Sequence, residues 1–409
     1  MCEMDNLGHE RLALPPASNA TRRNFLTGCR EAAVGLASLS LGVCAGRLSA
    51  LAQADSVVSS DNRALIADLE TRLPALLSQS PNVPAVSMAL VADAKLLWRG
   101  AFGVKDRTNK QLVDPATVFE AGSVSKTVFA YAVLKLCEKG KLDLDTPLVK
   151  YAPDRPIEGD SRLDRITPRM VLSHTGGFQN WRSTKEPLSI HFTPGERWSY
   201  SGEGYSWLQS VLTHVAGHVN RKNCKAMEDG ARVCATDFDR YIKANLLTPF
   251  GMTSSGYLYH QGMARPHDPD GKMIADRKAT PIEAARYGSA GGLHTTPTDY
   301  AKFLIEILAP RPSDNYRLNA NSLAEMTRAQ VKVKDWLSWG LGWAVEDLKS
   351  GKILAHSGDN PGYKALAAAW PERRSGFIIM TNGDRGYDDI IAKVVKSETL
   401  QRFLPTELV

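Results

Sequence analysis

Ser123-Val124-Ser125-Lys126 sets a hydroxyl and an amine three residues apart, at the start of an apolar run from Val128 to Leu136. On a helix the two share one face, and a serine at a helix N-terminus gains from a local positive potential that favours negative charge developing near its oxygen. The pairing matters because a serine hydroxyl is a poor nucleophile until a nearby base takes its proton. A lysine can be that base if burial and neighbours keep it neutral. Alone the pair is weak evidence, since a chain of 409 residues expects about one Ser-x-x-Lys by chance. A solvated serine and lysine on a helix face is the plainer reading of that pair by itself.

Company in order along the chain changes the balance. Tyr200-Ser201-Gly202 follows about 75 residues later within Trp198 to Tyr205, and His356-Ser357-Gly358-Asp359 ends a predicted strand. With these three stretches the sequence resembles the serine β-lactamase and penicillin-binding clan, in the branch of class C β-lactamases, D-Ala-D-Ala carboxypeptidases, D-aminopeptidases and related esterases. Gly140 to Asp145, Leu172-Ser173-His174-Thr175-Gly176-Gly177 and Ala290-Gly291-Gly292-Leu293-His294-Thr295-Thr296 look like the same branch, so the resemblance covers roughly Ser60 to Leu400.

The resemblance implies Ser123 as nucleophile, with Lys126 and Tyr200 sharing the general-base role, Lys126 holding Tyr200 partly ionised or the reverse. It implies an oxyanion hole from the backbone N–H groups of Ser123 and Asp359, worth about 3 kcal/mol of transition-state stabilisation per donor, with Gly202 and Gly358 beside the substrate. Without those neighbours Tyr200 would read as a core aromatic between Trp198 and Tyr205. Two departures bear on substrate. His356 stands where a fixed lysine cation commonly binds a substrate carboxylate, and a histidine is only partly charged at neutral pH. Gly202 replaces the asparagine usual in β-lactamases, removing a side-chain amide. The expected chemistry is therefore acyl transfer to water from an ester, small amide or peptide, with weak β-lactamase activity at most and no cofactor or metal. The alternative of another class is a penicillin-binding sensor or scaffold that acylates slowly or has lost turnover.

The elements that must position these groups read as a β-lactamase-like α+β fold of two lobes, an antiparallel sheet flanked by helices with an inserted, mostly helical lobe. Leu65, Ile66, Leu69, Leu73, Leu76 and Leu77 follow a helical period after a polar start at Ser60 and Asp61. Val86–Val91 and Leu96–Phe102 read as a hairpin around Asp93-Ala94-Lys95, and Leu341–Val345, Lys352–His356, Ala365–Trp370 and Phe377–Thr381 as later strands. Between them lie helical patterns at Val128–Lys139, Arg169–Ser173, Gly204–Ala216 and Phe238–Leu247, and a last helix is predicted over Asp388–Phe403. The sheet lobe is placed at about 55–122 plus 286–405 and the helical lobe at about 123–285.

Composition sits at the globular average, 43% apolar and 23% charged, which leaves room for a full-sized core. The 50 basic and 44 acidic residues give +6, scattered rather than gathered into the stripe that nucleic acid needs. Residues 1–54 read as an export signal: Arg22-Arg23-Asn24-Phe25-Leu26 resembles the twin-arginine class, and a weakly polar run to Ala45 and Ala52-Gln53-Ala54 follow. The run is about 14 residues, short of the ~20 of a spanning helix. The expectation is an exported bacterial protein, periplasmic or extracellular, with no membrane span once the signal is removed. In that oxidising setting Cys224 and Cys234, flanking a polar stretch that reads as a surface loop, are expected to form a local disulfide worth about 2–3 kcal/mol, and Cys137 to be a buried thiol. No Gly-x-Ser-x-Gly elbow exists. His214 and His218 are four apart, but Val215 occupies the place where a zinc protease needs glutamate. His174 reads as a structural residue at a helix end, and Trp181, Trp339 and Tyr363 as cleft or core aromatics. Oligomeric state is not legible.

Overall fold

Leu65, Leu69, Leu73 and Leu76 recur every three or four residues, and that stripe is the buried side of helix α1 (Ser60–Gln79). Ser59 caps it, its Oγ accepting the Asn62 N–H at 3.1 Å. The computed structural model describes residues 59–152, 155–183, 185–216, 229–259, 261–274, 281–349 and 351–406. The expected export signal, Cys224 and His218 lie outside the described residues.

After α1 the chain makes the expected hairpin of β1 (Ala85–Ala92) and β2 (Lys95–Asp106), with Asp93 and Ala94 both at positive φ in the turn. Short strands β3 (Gln111–Leu112) and β4 (Phe119–Glu120) lead to helices α2 (Ser125–Glu138), α3 (Pro168–Leu172), α4 (Gly202–Val215), α5 (Asp229–Ile242) and α6 (Pro281–Gly291). Strand β5 (His294–Thr295) pairs with β4 and precedes α7 (Pro297–Leu308) and α8 (Ala320–Thr327). Six strands follow: β6 (Val331–Lys332), β7 (Leu337–Trp339), β8 (Ala344–Leu348), β9 (Gly351–Asn360), β10 (Tyr363–Trp370) and β11 (Ser375–Thr381). Helices α9 (Ala392–Val395) and α10 (Glu398–Phe403) close the chain.

Nine strands form one sheet in the order β3-β2-β1-β11-β10-β9-β8-β7-β6. Strands β1 and β11 lie side by side within it, Val86 opposite Thr381, so the early and late strands of the described residues share a layer. Alternation sorts the sheet residues onto two cores. Val86, Met88, Leu90, Phe377 and Ile379 face α1, α9 and α10, whereas Ala85, Ala89, Ile378 and Met380 face the side that holds α2 and α7. Every residue of α2 from Ser125 to Leu136 is buried, so this helix is wrapped on all sides rather than amphipathic. Helix α6 packs against α2, α4 and α5.

Three expectations need correction. The predicted strand Leu341–Val345 begins only at Ala344. Gly342 turns at φ +84° and its N–H donates to Leu172 O at 3.0 Å, so the residues before Ala344 are held against the helices instead of the sheet. The single helix predicted over Asp388–Phe403 is broken: a π-turn at Tyr387–Ile391 precedes α9, and Ser397 starts α10 afresh by accepting the Leu400 N–H. Cys234 lies within α5 rather than beside a loop, and it is disulfide-bonded. Cys137 is half-buried against the core, its thiol pushed up to about 12 by burial. Among the described residues no helix is long and apolar enough to cross a membrane.

Two glycines separate close approach from backbone conformation. A Cβ on Gly358 would sit 2.0 Å from Ala121 O, whereas Gly140, at φ +64°, has nothing within 4 Å of that position. Gly140→Ala is expected to cost about 1 kcal/mol, the left-handed penalty alone, and Gly358→Ala about 2–3 kcal/mol, because a strand must move off its neighbour. Denaturant unfolding of the two variants checks this. Alkylation of the unfolded, unreduced protein is expected to modify Cys137 and spare Cys234, read by peptide mass mapping.

Candidate active site

Ser123 sits in a single 3-10 turn, Gly122–Val124, that runs directly into α2. Gly122 is at φ +54°, and a Cβ there would lie 2.6 Å from Asp359 N. Strand β8 pairs with β9 only as far as Ala355, so His356–Asn360 extends past the end of β8, and Gly358 and Asp359 lie against Ala121 and Gly122. The turn and the strand edge can approach this closely only because both positions lack side chains.

The three-residue spacing on α2 brings Lys126 Nζ to 3.1 Å from Ser123 Oγ. The same amine donates to Ala290 O, near the end of α6, at 2.6 Å. Lys126 has no exposed surface, and burial brings its amine down from 10.5 to about 7. Its Nζ also lies 4.8 Å from the centre of the Tyr200 ring and 5.3 Å from that of Tyr205. Cation–π contact favours the charged form by about 0.5–2 kcal/mol, too little to offset removal from water. The amine is thus half-neutral near neutral pH, with its base-competent share rising above that point.

Tyr200 reaches the same serine from a different segment, its side chain hydrogen-bonded to that of Ser123. Burial pushes the phenol above its ordinary value, against the smaller opposing effect of that hydrogen bond. Of the two groups expected to share the base role, the amine carries the accessible titration and the phenol stays protonated. Ser201 caps α4, its Oγ accepting the Gly204 N–H at 3.1 Å and donating to Gln179 O at 2.8 Å, which fixes where Tyr200 emerges.

Two imidazoles bracket Tyr200. His174 follows the end of α3 at φ +58°, its ring 4.2 Å from that of Tyr200, and Nδ1 accepts the Ser201 N–H at 3.1 Å. This is the structural part expected of it. His356 points from β9 toward Tyr200 and Trp339, and its Nδ1 lies 2.6 Å from Ser357 O, to which it donates. The expectation that His356 is partly charged is overturned. Burial, then repulsion from the Lys126 amine, lowers it to about 3, and burial likewise holds His174 well below the ordinary histidine range. Both rings are neutral.

The remaining expected residues divide. The Asp359 side chain points to the opposite face of the sheet, where it pairs with Lys364 at 2.6 Å, so only its backbone lies near the serine turn. Gly202 opens α4, but its N–H donates to Asn180 O and Oδ1 at 3.1 and 3.0 Å and its Cα lies under the Trp181 ring. Trp339 packs among His174 and Trp198, and the Tyr363 hydroxyl donates to Ala264 O; both are core residues. Sequence reasoning missed the Ala290 carbonyl, Ser125, whose Oγ takes the Leu293 N–H at 2.9 Å, and Asn360, which donates to Glu120 Oε2 and Gly291 O. The Ala290-Gly291-Gly292 stretch was the available signal for that contact region, but a main-chain acceptor leaves no trace in residue type.

Burial of Lys126 carries a pH signature. Because its folded value lies below 10.5, the unfolded chain binds the extra proton between about pH 7 and pH 10.5, so the penalty is full below that window and fades as pH rises through it. A fall from 10.5 to about 7 corresponds to roughly 5 kcal/mol. Lys126→Met is expected to raise the unfolding temperature at pH 6 and by much less at pH 10. Thermal melts at the two pH values check it; equal gains would contradict a depressed amine.

The Beta-lactamase family model matches residues 66–398. Penicillin-binding protein 4* of Bacillus subtilis is 23% identical over 352 residues, covering 74% of this chain and 69% of that protein. The chain spans about 61–69% of the length of the first curated relatives it matches. Among solved structures, SurE superposes with a TM-score of 0.67 at 21% identity, covering 85% of this chain and 77% of that one. A D-amino acid amidase from Ochrobactrum anthropi SV3 does so at 0.63 and 19%, covering 83% and 99%. At these identities the likeness to solved structures speaks for the fold, and the family match over most of the chain speaks for descent: the chain belongs to the beta-lactamase family.

Proposed function

We propose that the protein is a serine hydrolase that transfers the acyl group of an ester or small amide to water through an acyl-Ser123 intermediate. One observation carries the reading: a fully buried amine near its point of neutrality lies 3.1 Å from a serine Oγ that also holds a tyrosine hydroxyl. A buried amine lowered this far, beside a hydroxyl, is the arrangement a nucleophile needs.

In the forward step Ser123 Oγ attacks the carbonyl carbon while Lys126 Nζ takes the hydroxyl proton. Charge develops on the carbonyl oxygen, for which the N–H groups of Ser123 and Asp359 are the proposed donors. The proton passes to the leaving alcohol or amine, with Tyr200 as the bridging hydroxyl. Water then attacks the acyl group, gives its proton back along the same route, and frees Ser123 and the acid. The neutral His356 contributes no fixed cation for a substrate carboxylate. The charged hydrogen bond thereby missing is worth about 2 kcal/mol, or roughly thirty-fold in affinity. Esters and uncharged amides are favoured over β-lactams on this ground, and the D-amino acid amidase among the structural neighbours makes amides reasonable candidates. On the same footing residues 1–54 are proposed as a twin-arginine-type export signal, supported by Arg22-Arg23 and the short apolar run.

Intact mass after a fluorophosphonate probe is expected to show one adduct on the parent and none on Ser123→Ala. Hydrolysis of p-nitrophenyl esters or D-amino-acid amides should fall at least about 10³-fold in Ser123→Ala, and nitrocefin should be a poorer substrate than the best ester. Stable labelling without turnover of any substrate would favour a sensor, and neither labelling nor hydrolysis would favour a scaffold.

A further inference from the structure

Two residues after Tyr200, helix α4 begins beneath an indole. A Cβ added to Gly202 would lie 2.2 Å from both Cη2 and Cζ2 of Trp181 and 2.7 Å from Cζ3, so the ring occupies the space that a side chain at 202 would take. The indole is held there by its own backbone. Asn180 O accepts the N–H groups of Gly202 and Glu203, each at 3.1 Å. The Glu203 carboxylate, with no exposed side-chain surface, accepts the Arg182 N–H at 2.9 Å and the Arg182 guanidinium at 2.9 and 2.6 Å. Residues 180–182 are thereby fastened to 202–203 on both sides of Trp181, and a charge buried this deeply does not give up its partner cheaply.

A second ring completes the surface. Tyr287 meets Trp181 edge to face, with centroids 5.0 Å apart and planes at 88°. Tyr287 lies one helical turn before Ala290 on α6, on the same face, and Ala290 O is the carbonyl that takes the Lys126 amine. The two rings therefore stand on the two segments that deliver Tyr200 and hold Lys126, and both are half-buried. A glycine at 202 presents no hydrogen-bonding side chain, and what lies over it is aromatic carbon.

We propose that Trp181 and Tyr287 form an aromatic wall of the acyl subsite, selecting esters or amides whose acyl group carries a flat aromatic or similarly apolar substituent. The proposal rests on the acyl-transfer reading for its reaction but not for its binding surface, and the two are tested apart. In the Ser123→Ala background, the dissociation constant of 1-naphthylacetamide is measured by ligand-observed NMR with and without Trp181→Ala. With Ser123 intact, the ratio of kcat/KM for p-nitrophenyl 1-naphthylacetate to that for p-nitrophenyl acetate is measured for the same change.

Trp181→Ala is expected to weaken naphthylacetamide binding about ten-fold or more and to lower the ester ratio by a similar factor, with Trp181→Phe keeping most of both. Tyr287→Leu supplies the same two readouts should Trp181→Ala fail to fold. Unchanged binding and an unchanged ratio in folded variants overturn the wall while leaving hydrolysis intact. Binding that depends on Trp181 in a protein that turns over no ester upholds the wall and overturns the acyl-transfer reading instead.

Discussion

A lysine amine taken wholly out of water is the constraint on which the site depends. Lys126 has no exposed surface, and among the described residues no carboxylate pairs with it. Its hydrogen-bond partners are a serine oxygen and one main-chain carbonyl. A carboxylate would stabilise the charged form and make the amine useless as a base at neutral pH; without one, burial dominates and brings the amine to about 7. The cost falls on folding stability, a common trade at sites that must do chemistry.

That burial is a property of the fold rather than of the motif. Helix α2 is covered by α6, by α8, by the turn that precedes it and by the segment leading into β8. The approach of β9 to the serine turn is set by Gly122 and Gly358, each facing backbone where a Cβ would collide. The edge of β9 is available because β8 stops pairing at Ala355. A strand edge is ordinarily a liability; here it lies against the one turn whose geometry matters.

Charge around Tyr200 follows the same logic. A histidine on a strand edge would hover near half-charged in water, but His356 is enclosed by Tyr200 and Trp339 and stands near a lysine, and both effects expel its proton. His174 on the other flank is neutral for the same reasons. The two imidazoles that flank the phenol are thus neutral and largely apolar, which leaves the Lys126 amine to carry what charge there is beside it. Trp181 over Gly202 extends that apolar character to the next turn of the chain.

Much of this was legible in the chain alone. The hairpin, the α1 stripe and the later strands follow from period and turn residues, because alternation and the 3.6-residue repeat are local properties. Ser123, Lys126 and Tyr200 were found because their residue types and order survive in a linear string. Where local pattern failed, a tertiary contact had overruled it: Gly342 is drawn to Leu172 and shortens a strand, and Ser397 interrupts what reads as one helix. Helix α2 shows little amphipathic signal because it is buried all round. The protonation states were beyond the sequence altogether, since the same lysine and histidine types would be charged or half-charged at a surface. Only the packing of α6, β9 and the aromatic residues around them decides how much water each one sees, and burial is a sum over neighbours that the chain brings together from more than two hundred residues apart.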